Sequence, residues 1–270
     1  MKKVAIINTC NWGSTGKIAL SLCSILNSKG YDTHFFYGRG NIDSDSKHHR
    51  IEAPIEVYSH VFLAGLTGLQ GSFSHIATKR MISSLKKYEI DTIFIVSIQG
   101  YYINESMLFN YVAGNHIRLV YTMIDAYSYS GACCTDPVCE KIKTGKGRCP
   151  DIKKYPKSYF IDNCSKVIKR KIDCYKKMDN TVFVGPEYLV KCSQNSILGQ
   201  YMKTVILDEA INLQLYQPYD ASGLRQKHNI SEDKIIVLSV APTNIPTRGA
   251  QYFLDAVKQL QDDKRYSEKS

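Results

Sequence analysis

The stretch from 119 to 150 holds the residues that are best suited to chemistry: the carboxylate of Asp125 and several cysteines. An apolar run, Leu119 to Tyr121, is followed by polar and small residues around Asp125, Gly131 and Cys133. A strand that leads into a long irregular loop is typical of the carboxyl edge of a parallel sheet, where α/β proteins place their active sites. Asp125 is therefore the first candidate for a catalytic or ligand-binding residue.

The cysteines are the second chemical feature. The chain has nine of them, an odd number, and the sequence shows no export signal. Disulfides persist mainly in exported proteins, so this count favours free thiols or metal ligands over disulfides.

A glycine-containing turn follows the first predicted strand, Lys3 to Asn8, and precedes a helical pattern over Ile18 to Asn27. Backbone amides at such a helix start suit phosphate or sugar hydroxyl groups. Many turns of this kind only connect a strand to a helix, and the loop before Lys17 is too short for a Walker motif. The candidate residues of this turn are Gly13, Ser14, Thr15 and Gly16.

Further candidates follow two other predicted strands. Arg39 lies in the YGRG sequence after the strand 33–37, and Tyr101 and Asn104 follow the strand 91–96. Tyr101, Tyr102 and Asn104 could line a sugar site, or they could equally form a packed aromatic corner, and Arg39 would lie near the same sheet edge. His48 and His49 lie in a polar stretch, 41–50, that predicts a solvated loop, with a metal site as the alternative.

These candidates need a scaffold, and strands alternate with helices throughout the first two thirds of the chain. The predicted strands are 3–8, 33–37, 91–96, 119–121, 181–184 and 204–207, and the predicted helices 18–27, 55–69, 73–88, 105–112, 159–178 and 187–198. This alternation predicts an α/β fold with a doubly wound parallel sheet, a Rossmann-like domain over 1–208.

The sequence from 209 to 270 predicts a second domain that is incomplete. An irregular crossing over 209–220 leads to a strand over 234–241 and a helix from Gly249 to about Asp262, so that 221–270 forms only the start of a second Rossmann-like domain. One strand and one helix cannot bury both faces of a parallel sheet. We therefore expect either that the second domain is truncated or that this part packs on the first domain or on another copy, as a homo-oligomer.

Composition limits the function further. The chain has 270 residues, 44% of them hydrophobic, and a net charge of +10. No apolar run reaches the ~18 residues of a membrane span, which predicts a cytoplasmic protein. Basic residues concentrate between Lys141 and Lys177, either as a solvated helix face or as a surface attracted to the anionic headgroups of a membrane. Nucleic acid is not expected, because no recognition motif accompanies the charge.

Several sequences together resemble a known family. The run TMIDAYSYSGAC, with Cys139, KTGKGRCP and the YP at 155–156, is similar to the aspartate–aromatic–glycine–cysteine loop of family 4 glycosyltransferases, GT-B enzymes of bacterial surface-polysaccharide assembly. GYYIN at 100–104, YGRG at 37–40 and LYQP at 215–218 extend the resemblance over nearly the whole chain.

The resemblance implies retaining transfer of a sugar from a nucleotide-sugar donor to a glycan or a lipid-linked acceptor, without a required metal. The acceptor would contact the first domain and the donor mainly the second. Arg248 would stabilise the donor diphosphate, with a surface arginine at a helix start as the alternative. Cys133, Cys139 and Cys149 match family cysteines, Lys146 occupies the fourth position, and Cys134 could replace it in a structural zinc site; free thiols are the alternative.

The chain also departs from the family. Ile124 stands where the family commonly has histidine, and the strand end before GYYIN carries Ser97 and Gln99 without an imidazole. The crossing reads Glu209, Ala210, Ile211 and Asn212 in place of Asn-Gly-Ile-Asp, and the carboxylate pair that grips the donor would fall beyond Ser270. We therefore expect weak transfer or none. The alternative is a non-catalytic module that binds a sugar, a nucleotide or a partner protein.

Overall fold

The computed structural model describes residues 2–134, 139–150, 152–208, 213, 216–240 and 249–262. The chain divides into two compact units, Met1–Ala210 and Ile211–Ser270. The strands are β1 (Lys3–Cys10), β2 (Asp32–Arg39), β3 (His48–Arg50), β4 (Thr92–Ile95), β5 (Arg118–Thr122), β6 (Thr181–Gly185) and β7 (Thr204–Ile206). The helices are α1 (Gly13–Ser28), α2 (Pro54–Thr67), α3 (His75–Lys87), α4 (Glu105–Gly114), α5 (Glu140–Thr144), α6 (Cys164–Tyr175), α7 (Glu187–Gln194), α8 (Ser222–Lys227) and α9 (Ala250–Asp262), with 3-10 turns at Ala126–Tyr129 and Gly199–Tyr201.

The first unit is built on one seven-stranded sheet in the order β3-β2-β1-β4-β5-β6-β7. Every strand pair in it is parallel, which confirms the predicted doubly wound α/β fold. The strand order reverses beside β1, which pairs with β2 on one side and β4 on the other. In open parallel sheets, ligands bind at the carboxyl edge where such a reversal occurs.

Alternate residues of the central strands face opposite sides of the sheet, as the two-residue period of a strand requires. Ala5, Ile7 and Phe36 belong to a core on one face, together with residues of α3, α4 and α6. Val4, Ile6 and Phe35 belong to a second core on the other face, beneath α1. Because both faces are covered, the central strands are apolar almost throughout.

The polar stretch 41–50 differs from the predicted loop, since it ends in the short edge strand β3. His49 lies beside Phe36 of β2, with ring centroids 4.7 Å apart, and burial lowers the pKa of His49 to about 4. His48 Nδ1 is 2.7 Å from Asp43 Oδ2. Both histidines thus have protein partners. A strand of only three polar residues leaves no apolar pattern in the sequence, and this explains the incorrect prediction.

The second unit contains α8 and α9 among its described residues. The predicted helix over 249–262 is confirmed, but the predicted strand is wrong over its described part, because 234–240 forms no strand. Ile235 and Leu238 are 89% and 80% exposed. A strand needs a neighbouring strand for its backbone hydrogen bonds, and the described residues of this unit offer none.

Among the described helices of the chain, none combines the length and apolar character needed to cross a bilayer.

Replacing Gly38 with alanine is expected to destabilise the first unit by about 1–3 kcal/mol. A Cβ atom at Gly38 would lie 2.3 Å from Cγ of Tyr102, close to the root of a ring that cannot swing away. Tyr102 is fully buried, and its hydroxyl donates to the Ser97 carbonyl at 2.8 Å. Urea unfolding followed by circular dichroism measures the effect.

The matched control is Gly114→Ala in α4, where a Cβ atom would have no neighbour within 4 Å. It should change the stability by less than about 0.5 kcal/mol or raise it slightly. Equal effects of the two substitutions would contradict the close approach of Tyr102 to β2.

Candidate functional site

The carboxyl ends of four neighbouring strands bring polar residues together at one edge of the sheet. Thr9 is in β1 and Arg39 in β2, and Gln99 and Asp125 follow β4 and β5. These strands are adjacent in the sheet, on both sides of the reversal in strand order. We refer to this region as the carboxyl-edge site.

Asp125 is held by donors from three directions. One carboxylate oxygen accepts the Tyr127 backbone N–H at 2.9 Å, which caps the 3-10 turn Ala126–Tyr129, and the other accepts the Gln99 side-chain amide at 2.6 Å. The Cys134 thiol also donates to this carboxylate. Burial raises the pKa of Asp125, although the hydrogen bonds from Tyr127 and Cys134 oppose the rise. The carboxyl group remains half-buried, so it is suited to accept a hydrogen bond from a ligand hydroxyl.

A chain of hydrogen bonds connects Asp125 to the first strand. The Thr9 hydroxyl contacts the Gln99 backbone carbonyl and lies 2.9 Å from the Ser97 hydroxyl. Gln99 in turn donates to Asp125. Thr9 is followed directly by the turn that enters α1, so the structure places Asp125 and the Gly13–Gly16 turn on the same edge of the sheet.

The Gly13–Gly16 turn forms the first turn of α1, and the space next to Gly13 is open. Gly13 has φ +71° and would have no neighbour within 4 Å of a Cβ atom. At Gly16, in contrast, a Cβ atom would lie 2.8 Å from the Asn11 carbonyl carbon, so the tight turn requires glycine there. Trp12 precedes the helix and lacks a side-chain oxygen that could cap it, and the first turn has no acidic residue. The exposed Gly13 and Ser14 thus leave the helix start open to a negatively charged ligand.

Arg39 provides a positive charge at the same edge. Its guanidinium group hydrogen-bonds the Tyr155 hydroxyl and passes close to Gly100, where a Cβ atom would lie 3.0 Å from Nη2. Arg39 Nε is buried and has no hydrogen-bond partner among the described residues. Because Gly100 has φ +131°, a side chain there would be strained as well as crowded against Arg39 and Thr9.

Tyr101 and Asn104 lie in different surroundings. The Tyr101 ring lies edge-on to His60 and Tyr155, with centroids 5.7 and 5.9 Å apart, and its hydroxyl accepts the Lys157 backbone N–H. Asn104 is buried and caps α4: it accepts the Met107 N–H at 3.0 Å, and its amide donates to the Ser72 carbonyl at 2.6 Å. The side chain of Asn104 is therefore hydrogen-bonded within the fold, and its place in a sugar site stays a prediction.

The predicted cysteine set divides between separate contacts. Cys134 contacts Asp125, and the Cys149 thiol is hydrogen-bonded to Cys164, a contact that with burial raises the pKa of Cys164. All nine cysteines are free. Within the described ranges, no group of three or more histidine, cysteine, aspartate or glutamate side chains is placed to hold a metal ion. A zinc site formed by Cys133, Cys134, Cys139 and Cys149 stays a prediction. Arg248 lies outside the described residues.

A buried polar cluster forms hydrogen bonds with the segment that follows Asp125. Glu105 accepts the Tyr127 hydroxyl and pairs with Arg170 at 3.1 Å. The Lys171 ammonium group donates to the backbone carbonyls of Tyr127 and Ser130 and lies over the Tyr127 ring. Sequence reasoning missed this cluster. The available signal was Lys171 itself, which falls on the apolar stripe of α6 between buried residues.

The carboxyl-edge site thus belongs to the class of sites that Rossmann-like sheets form where their strand order reverses. No family model matches this chain. No curated protein matches it either.

Some solved structures are similar to this chain at low sequence identity. LpCGTa in complex with UDP is 9% identical with a TM-score of 0.40 over 80% of this chain and 55% of that one. UGT2 of Phytolacca americana, complexed with UDP-2fluoro-glucose and pterostilbene, is 9% identical with a TM-score of 0.45 over 78% of this chain and 54% of that one. AtPrR2 in apo form is 15% identical with a TM-score of 0.25 over 77% and 81%. This chain spans about half the length of the first two of these proteins. Its assignment to the α/β class comes from its own parallel sheet.

Proposed function

We propose that this chain is a glycosyltransferase-like protein whose carboxyl-edge site binds a sugar, and that its ancestral reaction is retaining transfer from a nucleotide-sugar to a glycan or lipid-linked acceptor. The observation that carries the proposal is the hydrogen-bonded connection of Thr9, Gln99 and Asp125 beside the open start of α1. The resemblance of the Asp125 loop to family 4 glycosyltransferases supports the reaction class and a role in bacterial surface polysaccharide synthesis.

Each residue of the carboxyl-edge site has a separate chemical role. Asp125 accepts a hydrogen bond from a sugar hydroxyl, because a carboxylate offers about four lone-pair sites and only three donors contact it. The start of α1 and Arg39 stabilise negative charge, such as that of a departing diphosphate. Gln99 orients the carboxylate but has no titratable proton, so it cannot exchange a proton with Asp125 as an imidazole could. Transfer by this chain is therefore expected to be weak or absent.

A second function is favoured by the same Gln99–Asp125 contact. An amide–carboxylate pair orients a ligand well and catalyses proton transfer poorly, as suits a module that binds a sugar or nucleotide without turning it over. The two functions differ in turnover. Incubation with UDP- and GDP-sugars, together with calorimetric binding, separates them: selective binding with product above a no-protein control indicates the enzyme, and binding without product indicates the module. No binding of either kind would contradict both.

Replacing Asp125 with asparagine is expected to weaken binding of the best nucleotide-sugar or acceptor by about tenfold or more. A charged hydrogen bond to a hydroxyl contributes about 1.5–3 kcal/mol, and each 1.4 kcal/mol is a factor of ten. Trp12 is the single tryptophan of the chain and is 66% exposed beside the start of α1, so its fluorescence reports binding.

The matched control is Asp91→Asn, which alters a carboxylate near the amino end of β4, at the opposite edge of the sheet. Asp91 accepts the Lys3 N–H at 3.2 Å. Its substitution should leave the ligand affinity unchanged. Equal losses in the two variants would show that the sugar binds elsewhere.

A further inference from the structure

Two cysteines on either side of an irregular segment come together beside α6. Cys149 follows α5, Cys164 is the first residue of α6, and the described residues among 150–163 form no helix or strand. Cys164 donates its thiol hydrogen to the Cys149 sulfur. Both residues also line the same small cavity. Two thiols in hydrogen-bond contact need only a small movement to reach the geometry of an S–S bond.

One carboxylate holds the backbone of both cysteines. The Cys149 N–H donates to Asp162 Oδ2 at 2.6 Å, and the Cys164 N–H donates to Asp162 Oδ1 at 3.1 Å. Lys141 Nζ, on a buried side chain, lies 2.7 Å from the same Oδ2. Burial favours the neutral acid, but the hydrogen bonds from Lys141 and from the two cysteine N–H groups lower the pKa of Asp162. The ionised carboxylate thus keeps the two cysteines side by side.

Further contacts fix the same arrangement. The Ser165 hydroxyl donates to the Gly145 carbonyl at 2.9 Å, which ties the start of α6 to the stretch before Cys149 a second time. On its other side Cys164 packs on the chain near Gly131, where a Cβ atom would lie 2.8 Å from the Cβ of Cys164. The position of Cys164 is therefore set by the fold and not by one side-chain rotamer.

The pair is suited to oxidation. Neither cysteine is fully buried, so a small oxidant can reach the thiols. Within the described ranges, no group of three or more metal-ligating side chains includes the pair. A reactive thiol with a second thiol beside it is the usual arrangement in reversible cysteine oxidation. Because Cys164 is the donor in their hydrogen bond, Cys149 is the sulfur that can attack as a thiolate.

We propose that Cys149 and Cys164 form a modification site, at which a hydroperoxide oxidises the two thiols to a disulfide. Cys149 attacks the O–O bond as its thiolate and becomes a sulfenic acid, and the departing oxygen takes up the proton that Cys149 lost. The Cys164 thiol then attacks this sulfur, so that the S–S bond forms and water leaves. Two electrons pass from the two sulfurs to the hydroperoxide, and a dithiol reductant restores both thiols.

This site is independent of the proposed function, because neither cysteine belongs to the carboxyl-edge site. Cys164 is also outside the cysteines that the sequence assigns to a zinc site. The expected product is a covalent link across the segment 149–164, where the reduced chain has only hydrogen bonds.

Peptide mapping without reduction tests the proposal. The full reduced chain is treated with hydrogen peroxide, its remaining thiols are blocked, and it is digested with trypsin. The main linked product should be Cys149–Lys153 joined to Ser158–Lys166, and the intact mass should fall by about 2 Da, as expected for a disulfide. This product should be at least roughly tenfold more abundant than any other linked pair, because only thiols already in contact form the bond readily. Dithiothreitol should reverse it.

The matched control is Cys10→Ser. The Cys10 thiol donates to the Trp12 carbonyl at 3.1 Å, away from the pair, so this variant should form the link as the wild type does. Cys149→Ser and Cys164→Ser should each lose it. In urea, the oxidised wild type should unfold at a higher concentration than the reduced wild type, and neither of these two variants should show that rise.

Four results would overturn the proposal. They are a main disulfide between other cysteines, a sulfinic acid at Cys149 in place of the link, an oxidised wild type that unfolds at a lower urea concentration than the reduced one, and no reaction at peroxide concentrations that oxidise free cysteine. Stoichiometric zinc that is lost in Cys149→Ser would overturn it as well, since Cys149 would then be a metal ligand.

Discussion

Replacing Glu105 with glutamine is expected to lower the free energy of unfolding by about 3–5 kcal/mol, because it leaves buried cations without their counter-charge. Glu105 is 1% exposed and pairs with Arg170. Its negative charge also does more than that of any other residue to favour the ammonium form of the fully buried Lys171. The loss should loosen the segment Ala126–Tyr129, since Tyr127 also donates its hydroxyl to Glu105.

The matched control for this substitution is Glu187→Gln. Glu187 pairs with Lys191 at 2.7 Å on the surface of α7, where both side chains are exposed. Exposed pairs of this kind contribute at most a few tenths of a kcal/mol, so the control should unfold almost as the wild type does. Chemical denaturation of the two variants side by side gives the comparison. A glutamine at 105 that costs no more than the one at 187 would show that the cluster carries no net stabilising charge.

Lys171 is expected to make the stability of the protein increase with pH by roughly 3 kcal/mol between pH 8 and 10.5. Burial lowers the pKa of Lys171 from 10.5 to about 8 in the folded state. Below pH 8 both states bind the proton, and the folded state bears the full cost of a buried ammonium. Between the two pKa values the unfolded chain keeps the proton that the folded chain has released, so folding becomes more favourable. Above 10.5 both states are neutral and the gain is complete.

The substitution Lys171→Met isolates this effect, because tyrosines and cysteines also titrate in the alkaline range. The stability of the wild type relative to the methionine variant should rise from pH 7.5 to pH 10.5, in reducing buffer. Lys191→Met, at an exposed position of α7, should show no such change. Parallel curves for the wild type and the Lys171 variant would mean that Lys171 is not buried as an ammonium group.

The sheet was predictable because its strands are buried on both faces. The runs Val4–Ile7 of β1 and Ile93–Ile95 of β4 are apolar without interruption, a pattern typical of central parallel strands. The short strand β3 was not predictable, since its residues are polar and its place depends on the edge that β2 offers. The strand predicted over 234–241 failed for the opposite reason: its residues favour a strand, but hydrogen bonds require a neighbour that local sequence does not supply.

The candidate site was predictable in its location more than in its contacts. Asp125 and the Gly13–Gly16 turn could be placed at one edge, because parallel strands end together. The role of Gln99 could not be predicted, because its amide contacts the Asp125 carboxylate only when β4 and β5 lie side by side. The capping role of Asn104 was not predicted for a similar reason, since it depends on the start of α4.

The position of β1 in the centre of the sheet has a consequence for the chain as it leaves the ribosome. β1 pairs with β2 soon after both are synthesised, but its other edge waits for β4, as in the pairing of Val4 with Thr92. β5 then waits for β6 while the whole cysteine stretch is translated, as Leu119 pairs with Thr181. Non-local parallel pairing of this kind is slow and leaves strand edges open. The nascent chain therefore presents an apolar, unpaired edge for much of its translation, which makes it a natural client for chaperones that bind extended segments.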